Sequence, residues 1–163
     1  MKAITILGSN TGDKREIISQ AIHRLTTVGT IMAKSSLYET EPWGFSCEEL
    51  FLNQVVSLET SLTPVQLLRF CLETEKKLGR IRRADAPRYS SRPIDIDLLF
   101  CDSEIMQTEE LILPHPRLQE RNFVLVPLAE IESDFQHPIF KKSIAQLLKE
   151  SQDPLQVKKV ESL

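Results

Sequence analysis

At 163 residues, 41% hydrophobic and 26% charged, the chain has the size and make-up of one ordinary globular domain, with little room for a second. A net charge of −3 speaks against bulk nucleic-acid binding, and no run of about 18 apolar residues offers a membrane span. Cys47, Cys71 and Cys101 match neither a disulfide framework nor a zinc site, and Met1-Lys2 leads straight into a strand rather than a signal peptide, so a reducing cytoplasm is expected.

AITIL (3–7) reads as a short apolar strand closing on a turn at Gly8-Ser9-Asn10, with no Walker-A spacing behind it. Asp13 followed by Glu16 is a capping-box variant, and Ile17, Ile18, Ala21, Ile22, Leu25 and Val28 then share one helical face up to a stop at Gly29. Residues 30–40 read as a strand ending in YET, followed by a loop around Pro42-Trp43-Gly44. FLNQVVSLET (51–60) is a second long strand, suited to antiparallel pairing with the first. Its Phe51, Asn53 and Val55 alternate onto one face, where an aromatic beside an amide suits a flat heteroaromatic ligand; Phe51 alone is equally a core residue.

Pro64 opens a second helix at its favoured first position, with Leu68, Cys71, Leu72 and Leu78 as the stripe and Gly79 as the stop. Glu75 falls on that stripe, and an inward glutamate needs a partner, either a core arginine or a ligand that it orders. A final helix is expected near 143–150, with residues 154–163 frayed. The order β-α-β-β-α-β is the ferredoxin-like motif, an α+β sandwich whose mainly antiparallel sheet carries helices on one face.

The chemistry concentrates in RPIDIDLLF (92–100). Ile94, Ile96, Leu98 and Phe100 alternate on one face, with Asp95 and Asp97 together on the other, roughly 6.6 Å apart along the strand. Two such carboxylates repel, and divalent metal resolves the conflict. Alone the pair is a weak signal, since acids on a solvated face, or acids paired with arginines, would account for it. Just upstream, however, Arg80, Arg82, Arg83, Arg88 and Arg92 stand with a single acid, Asp85. Arginines grip phosphates by bidentate hydrogen bonds, and an acid pair for Mg²⁺ beside an arginine cluster is the equipment of phosphoryl or nucleotidyl transfer. A solvated face or an RNA patch is the plainer account of the arginines. His115, between Pro114 and Pro116, is a fixed histidine, structural or functional.

Taken together, LGSN (7–10), SSLYETEPWG (35–44), FLNQVV (51–56), ETEKKLGRIR (73–82), RPIDIDLLF (92–100) and LPHPRLQERNFVLVPLAEI (113–131) resemble, in order and spacing, the 6-hydroxymethyl-7,8-dihydropterin pyrophosphokinases of folate biosynthesis. The resemblance implies a ferredoxin-like fold and one pyrophosphokinase domain over 1–163. It also implies transfer of pyrophosphate from ATP to the pterin hydroxymethyl group with release of AMP, as in a 2-amino-4-hydroxy-6-hydroxymethyldihydropteridine diphosphokinase. By position, Asp95 and Asp97 would hold two Mg²⁺ ions. Glu75, Arg80, Arg82, Arg88, Arg92, His115 and Arg121 would meet ATP, with Arg80, Arg82 and Arg92 also catalytic. Thr40, Pro42, Trp43, Phe51, Asn53, Tyr89 and Phe123 would form the pterin pocket. The partners are then small molecules only, with no nucleic acid or membrane, and the chain is expected to act as a monomer.

The chain departs from the family in two places. It carries Tyr89-Ser90-Ser91-Arg92 where Trp-Gly-Pro-Arg is common, and Glu110 and Ile112 where some members have a basic residue and a hydroxyl. Two rivals share such a sheet. A palm-like nucleotidyltransferase would release pyrophosphate instead of AMP, and an RNA-recognition-type module would want exposed aromatics in basic surroundings rather than two central aspartates.

Overall fold

The computed structural model describes residues 1–41, 50–79 and 93–160. Strand β1 (Lys2–Ser9) leads through helix α1 (Lys14–Leu25) to β2 (Gly29–Lys34), β3 (Tyr38–Thr40) and β4 (Phe51–Thr60). Helix α2 (Pro64–Lys77) precedes β5 (Asp95–Cys101), the short hairpin β6 (Met106–Gln107) and β7 (Ile112–Leu113), helices α3 (Asn122–Glu132) and α4 (Ile144–Glu150), and β8 (Val157–Lys159). The sheet runs β5-β1-β4-β3-β8 with β2 also on β4, every pairing antiparallel. This is the ferredoxin-like βαββαβ order, extended at its C-terminal end.

Local chemistry starts the helices as expected. Asp13 accepts the backbone N–H of Glu16 ahead of α1, and Thr63 and Gln66 form a full capping box around Pro64 at the head of α2. Ser143 caps α4 through the N–H of Gln146. Helix α1 ends at Leu25, however, and Gly29 opens β2 instead of stopping the helix. A Cβ at Gly29 would lie 2.6 Å from the Glu59 carbonyl oxygen, so only glycine lets the strands close there. The inward face of α2 is Leu67, Cys71, Thr74 and Glu75, one step round from the stripe read in the sequence, and Leu72 is exposed.

Residues 30–40 divide into β2 and β3 because Ser35 takes over part of the ladder. Its Oγ accepts the N–H of Val55 at 2.9 Å, while the Gln54 amide donates to its carbonyl at 2.7 Å. The sheet is covered on both faces, not one. On one side α1 and α2 pack over Ala3, Leu7, Val56, Ile94, Ile96 and Leu98. On the other, Val124, Leu125 and Leu128 of α3 with Ile144 and Leu147 of α4 cover Ile4, Ile6, Val55, Leu99 and Phe100. Phe100 therefore lies opposite to the Ile96–Leu98 side on which simple alternation placed it. The register slips at Ile4/Thr5, which pair with Phe100 and Leu98, so Leu99 is an extra residue and Phe100 is swung onto the second face. Val157–Lys159, inside the tail expected to fray, pair with β3.

Candidate active site

Three adjacent strands, β5, β1 and β4, build the floor of one cleft. Gly8 stands opposite Asn53 on one side and Asp95 on the other, so β1 runs past the expected turn and puts a glycine between an amide and a carboxylate. A Cβ at Gly8 would fall 2.6 Å from Asn53 Oδ1, and its absence leaves a notch. Asn53 is buried and donates through Nδ2 to Thr40 Oγ1 at 3.2 Å, which fixes the amide plane at the cleft wall. Phe51 lies opposite Thr40 in the register, and Phe123 at the start of α3 faces the same space. Arg121, only 8% exposed, stands with its guanidinium carbon 5.7 Å from the Phe123 ring centroid. Ile6, Gly8, Thr40, Glu41, Phe51, Asn53, Asp95, Asp97, Arg121 and Phe123 line this cleft, which with its mouth holds about 490 Å³. Two aromatic rings and one fixed amide suit a flat polar heterocycle, with the carboxylates of Asp95 and Asp97 at its edge.

A second cleft lies beyond β5. Leu68, Ile96, Leu98, Leu111 and Ile112 give it apolar walls, with Glu109 and Glu110 on its lip and His115 and Pro116 beside them. Asp97 lines both clefts. The backbone N–H of His115 donates to the Leu99 carbonyl at 3.0 Å and its Nδ1 accepts the N–H of Arg117 at 3.4 Å, so the ring is held at the edge of the strand. Glu110 is engaged by Arg69, Nε to Oε1 at 2.9 Å and Nη2 to Oε2 at 3.2 Å, which ties the β6–β7 loop to α2. Its departure from a basic residue thus makes an acidic lip held by an ion pair.

Beneath the strand, Glu75 is 2% exposed and accepts the N–H of Ile96 at 2.7 Å. The neighbouring Cys71 thiol is pushed well above its ordinary value, first by burial and then by the carboxylates of Glu75 and Asp97. Burial likewise pushes Cys101 up to about 12, so both thiols stay protonated and neither is a nucleophile. On the opposite wall the Tyr38 hydroxyl donates to Glu130 Oε1 at 2.5 Å, and Ser36 donates to the same carboxylate through its N–H and its hydroxyl. Burial and that bond raise the Tyr38 hydroxyl to about 12. Burial alone would raise Glu130, but the Tyr38 and Ser36 donors hold it below its ordinary value. This clamp joins β3, which carries Thr40, to α3, which carries Phe123.

Of the residues expected to act, Thr40, Phe51, Asn53, Asp95, Asp97, Arg121 and Phe123 share the first cleft, and His115 joins Asp97 in the second. Pro42, Trp43, Arg80, Arg82, Arg88, Tyr89 and Arg92 lie outside the described residues. Sequence reading missed Gly8, Ile6 and Glu41. Gly8 had a signal, a glycine directly after an apolar strand, which was read as a turn. Among the described residues no group of three or more metal-ligating side chains occurs. Two carboxylates on one strand face fit a hard dication such as Mg²⁺, which takes one or two carboxylates and completes its shell with phosphate oxygens and water.

A family model described as 7,8-dihydro-6-hydroxymethylpterin-pyrophosphokinase (HPPK) matches residues 4–133. The 2-amino-4-hydroxy-6-hydroxymethyldihydropteridine pyrophosphokinase of Porphyromonas gingivalis is 42% identical over 134 residues, covering 81% of this chain and 90% of its own length. The Bacillus subtilis protein of the same name is 44% identical over 132 residues, covering 79% and 77%. A solved Plasmodium falciparum HPPK-DHPS triple mutant shares the fold, with TM-score 0.72 at 16% identity over 91% of this chain. The match takes in 42% of that longer protein.

Proposed function

The chain belongs to the 7,8-dihydro-6-hydroxymethylpterin-pyrophosphokinase family, and we propose that the two clefts meeting at Asp97 seat the two substrates of its reaction. That reaction moves the pyrophosphoryl group of ATP onto the hydroxymethyl group of 6-hydroxymethyl-7,8-dihydropterin, giving the pterin diphosphate and AMP, in tetrahydrofolate biosynthesis. The observation that carries the assignment is Asp97 itself, which lines an aromatic-amide cleft on one side and an apolar slot on the other.

The pterin ring lies between Phe51 and Phe123 with its polar edge on Asn53 and Thr40; the family resemblance assigns Pro42, Trp43 and Tyr89 to the same ligand. ATP enters the second cleft with its phosphates toward Asp97, His115 and Arg121. Asp95 and Asp97 would hold two Mg²⁺ ions, which would supply charge neutralisation and polarisation at the phosphate under attack. The pterin oxygen attacks the β-phosphorus in line, the bond from that phosphorus to the α-phosphate oxygen breaks, and AMP leaves. Arg80, Arg82, Arg88, Arg92 and Arg121 supply positive charge around the transferred oxygens, where preorganised donors act most strongly. Their concentration just ahead of β5 in the sequence supports this role.

All of these groups come from one chain, which supports action as a monomer and as a single domain. The free thiols Cys71 and Cys101 fit a reducing compartment, which we take to be the cytoplasm. The test is to supply ATP, Mg²⁺ and the hydroxymethyl-dihydropterin and identify the nucleotide released. AMP with a pterin diphosphate is expected, whereas pyrophosphate would assign nucleotidyl transfer instead.

A further inference from the structure

Among the described residues, β5 is the outer strand of the sheet path, and no described strand pairs with the other side of its backbone. An unpaired strand edge is free to twist and to slip. This edge carries the two aspartates, and it is held from outside the sheet. The Ile96 N–H, between Asp95 and Asp97, donates to Glu75 Oε2 at 2.7 Å. Farther along, the Leu99 carbonyl accepts the His115 N–H at 3.0 Å. Glu75 is buried to 2% exposure on the inward face of α2, and Ile96 rather than Glu75 lines the second cleft. The carboxylate thus sits one layer behind the cleft wall, with its hydrogen bond aimed at the main chain.

We propose that Glu75 is a positioning residue: by gripping the peptide between Asp95 and Asp97 it fixes the direction in which both carboxylates leave the strand. This rests on the reading of those two aspartates as the metal pair. The physical case is one of reach and charge. A short N–H bond to a buried carboxylate is charge-assisted and stiffer than the same bond to a neutral acceptor. Alternation along the strand puts Asp95 and Asp97 together on the face opposite to Ile96, so holding the peptide N–H of Ile96 sets the direction in which both carboxylates leave toward the first cleft.

Two conservative changes separate reach from charge. Glu75→Gln keeps an acceptor oxygen at the same distance, whereas Glu75→Asp keeps the charge and withdraws the oxygen by one methylene. Mn²⁺ added to the free protein and followed by electron paramagnetic resonance reads the aspartate pair without turnover. Amide exchange of Ile96, followed by nuclear magnetic resonance, reads the bond itself. Glu75→Asp is expected to weaken Mn²⁺ binding on the order of tenfold, the usual size of an effect through an orienting partner, and to speed Ile96 exchange on the same order. Glu75→Gln, which keeps the reach but loses the charge assistance, should fall between Glu75→Asp and the unsubstituted chain in both readouts. Equal loss of Mn²⁺ in both variants, or unchanged Mn²⁺ binding and Ile96 exchange in Glu75→Asp, would overturn the proposal. No Mn²⁺ binding by the unsubstituted chain would instead reject the metal pair, while Ile96 exchange would still decide what Glu75 holds.

Discussion

The first cleft depends on a missing atom. At Gly8, between Asn53 and Asp95, a side chain of any kind would reach Asn53 Oδ1 and fill the notch above β1. Gly8→Ala must displace Asn53, breaking its bond to Thr40, and overpacking of this type costs about 1–3 kcal/mol. The expected outcome is a lower thermal midpoint together with pterin binding weakened on the order of tenfold, while ATP binding stays near its original value. Calorimetric titration with each ligand checks it, and equal weakening of both would place the notch in a general structural role. Strand alternation marks Asp95 and Asp97, Phe51 and Asn53 in the sequence, the family resemblance alone marks Arg121 and Phe123, and the structure brings all six to one cleft. Gly8 was not legible there, because a glycine read along one strand does not show what lies on the strands beside it.

Elements told a more mixed story. Helices α1, α2 and α4 announce themselves by caps, but α3 does not. It has no side-chain cap and carries Pro127, which cannot donate to the carbonyl four residues back, so no local signal marks a helix there. Packing of Val124, Leu125 and Leu128 against the second sheet face outweighs that defect. Beta-strand alternation likewise failed at Leu99, since a bulge depends on the partner strand.

The link between α3 and α4 folds around His137, which is buried, stacks on Phe140 and meets Phe100 edge-on. Its Nδ1 accepts the N–H groups of Ile139 and Phe140 at 3.2 Å each, and burial holds its pKa below the ordinary 6.5. The unfolded chain therefore takes up this proton first. The histidine's contribution to stability is complete above about pH 6.5 and falls away as pH drops from there through the folded value. Glu130, also held low, adds a second loss beginning below its ordinary 4.5. Thermal midpoints measured from pH 7.5 to 5 should decline, and His137→Gln should flatten that slope. An unchanged slope in the variant would assign the decline to other groups.

Across the whole molecule, the fold serves to bring a strand end, a helix start and a hairpin to one place. β1 and β4 supply the floor, β5 the acids, α3 the ring, Arg121 just before it the guanidinium, and the β6–β7 hairpin the second wall. The βαββαβ order was visible from periodicity, but the second layer of helices and the pairing of β8 with β3 were not, since both arise from contacts distant in sequence. Acid pairs on a strand are costly unless something neutralises them, and on the proposed reading a triphosphate arriving with dications would do so at the boundary between the clefts. Turnover by the Asp97→Ala chain, scored as AMP formed from ATP and hydroxymethyl-dihydropterin at saturating Mg²⁺, puts this to the most direct test. A fall of at least about a hundredfold with an unchanged circular dichroism spectrum is predicted, and near-original AMP production would contradict it.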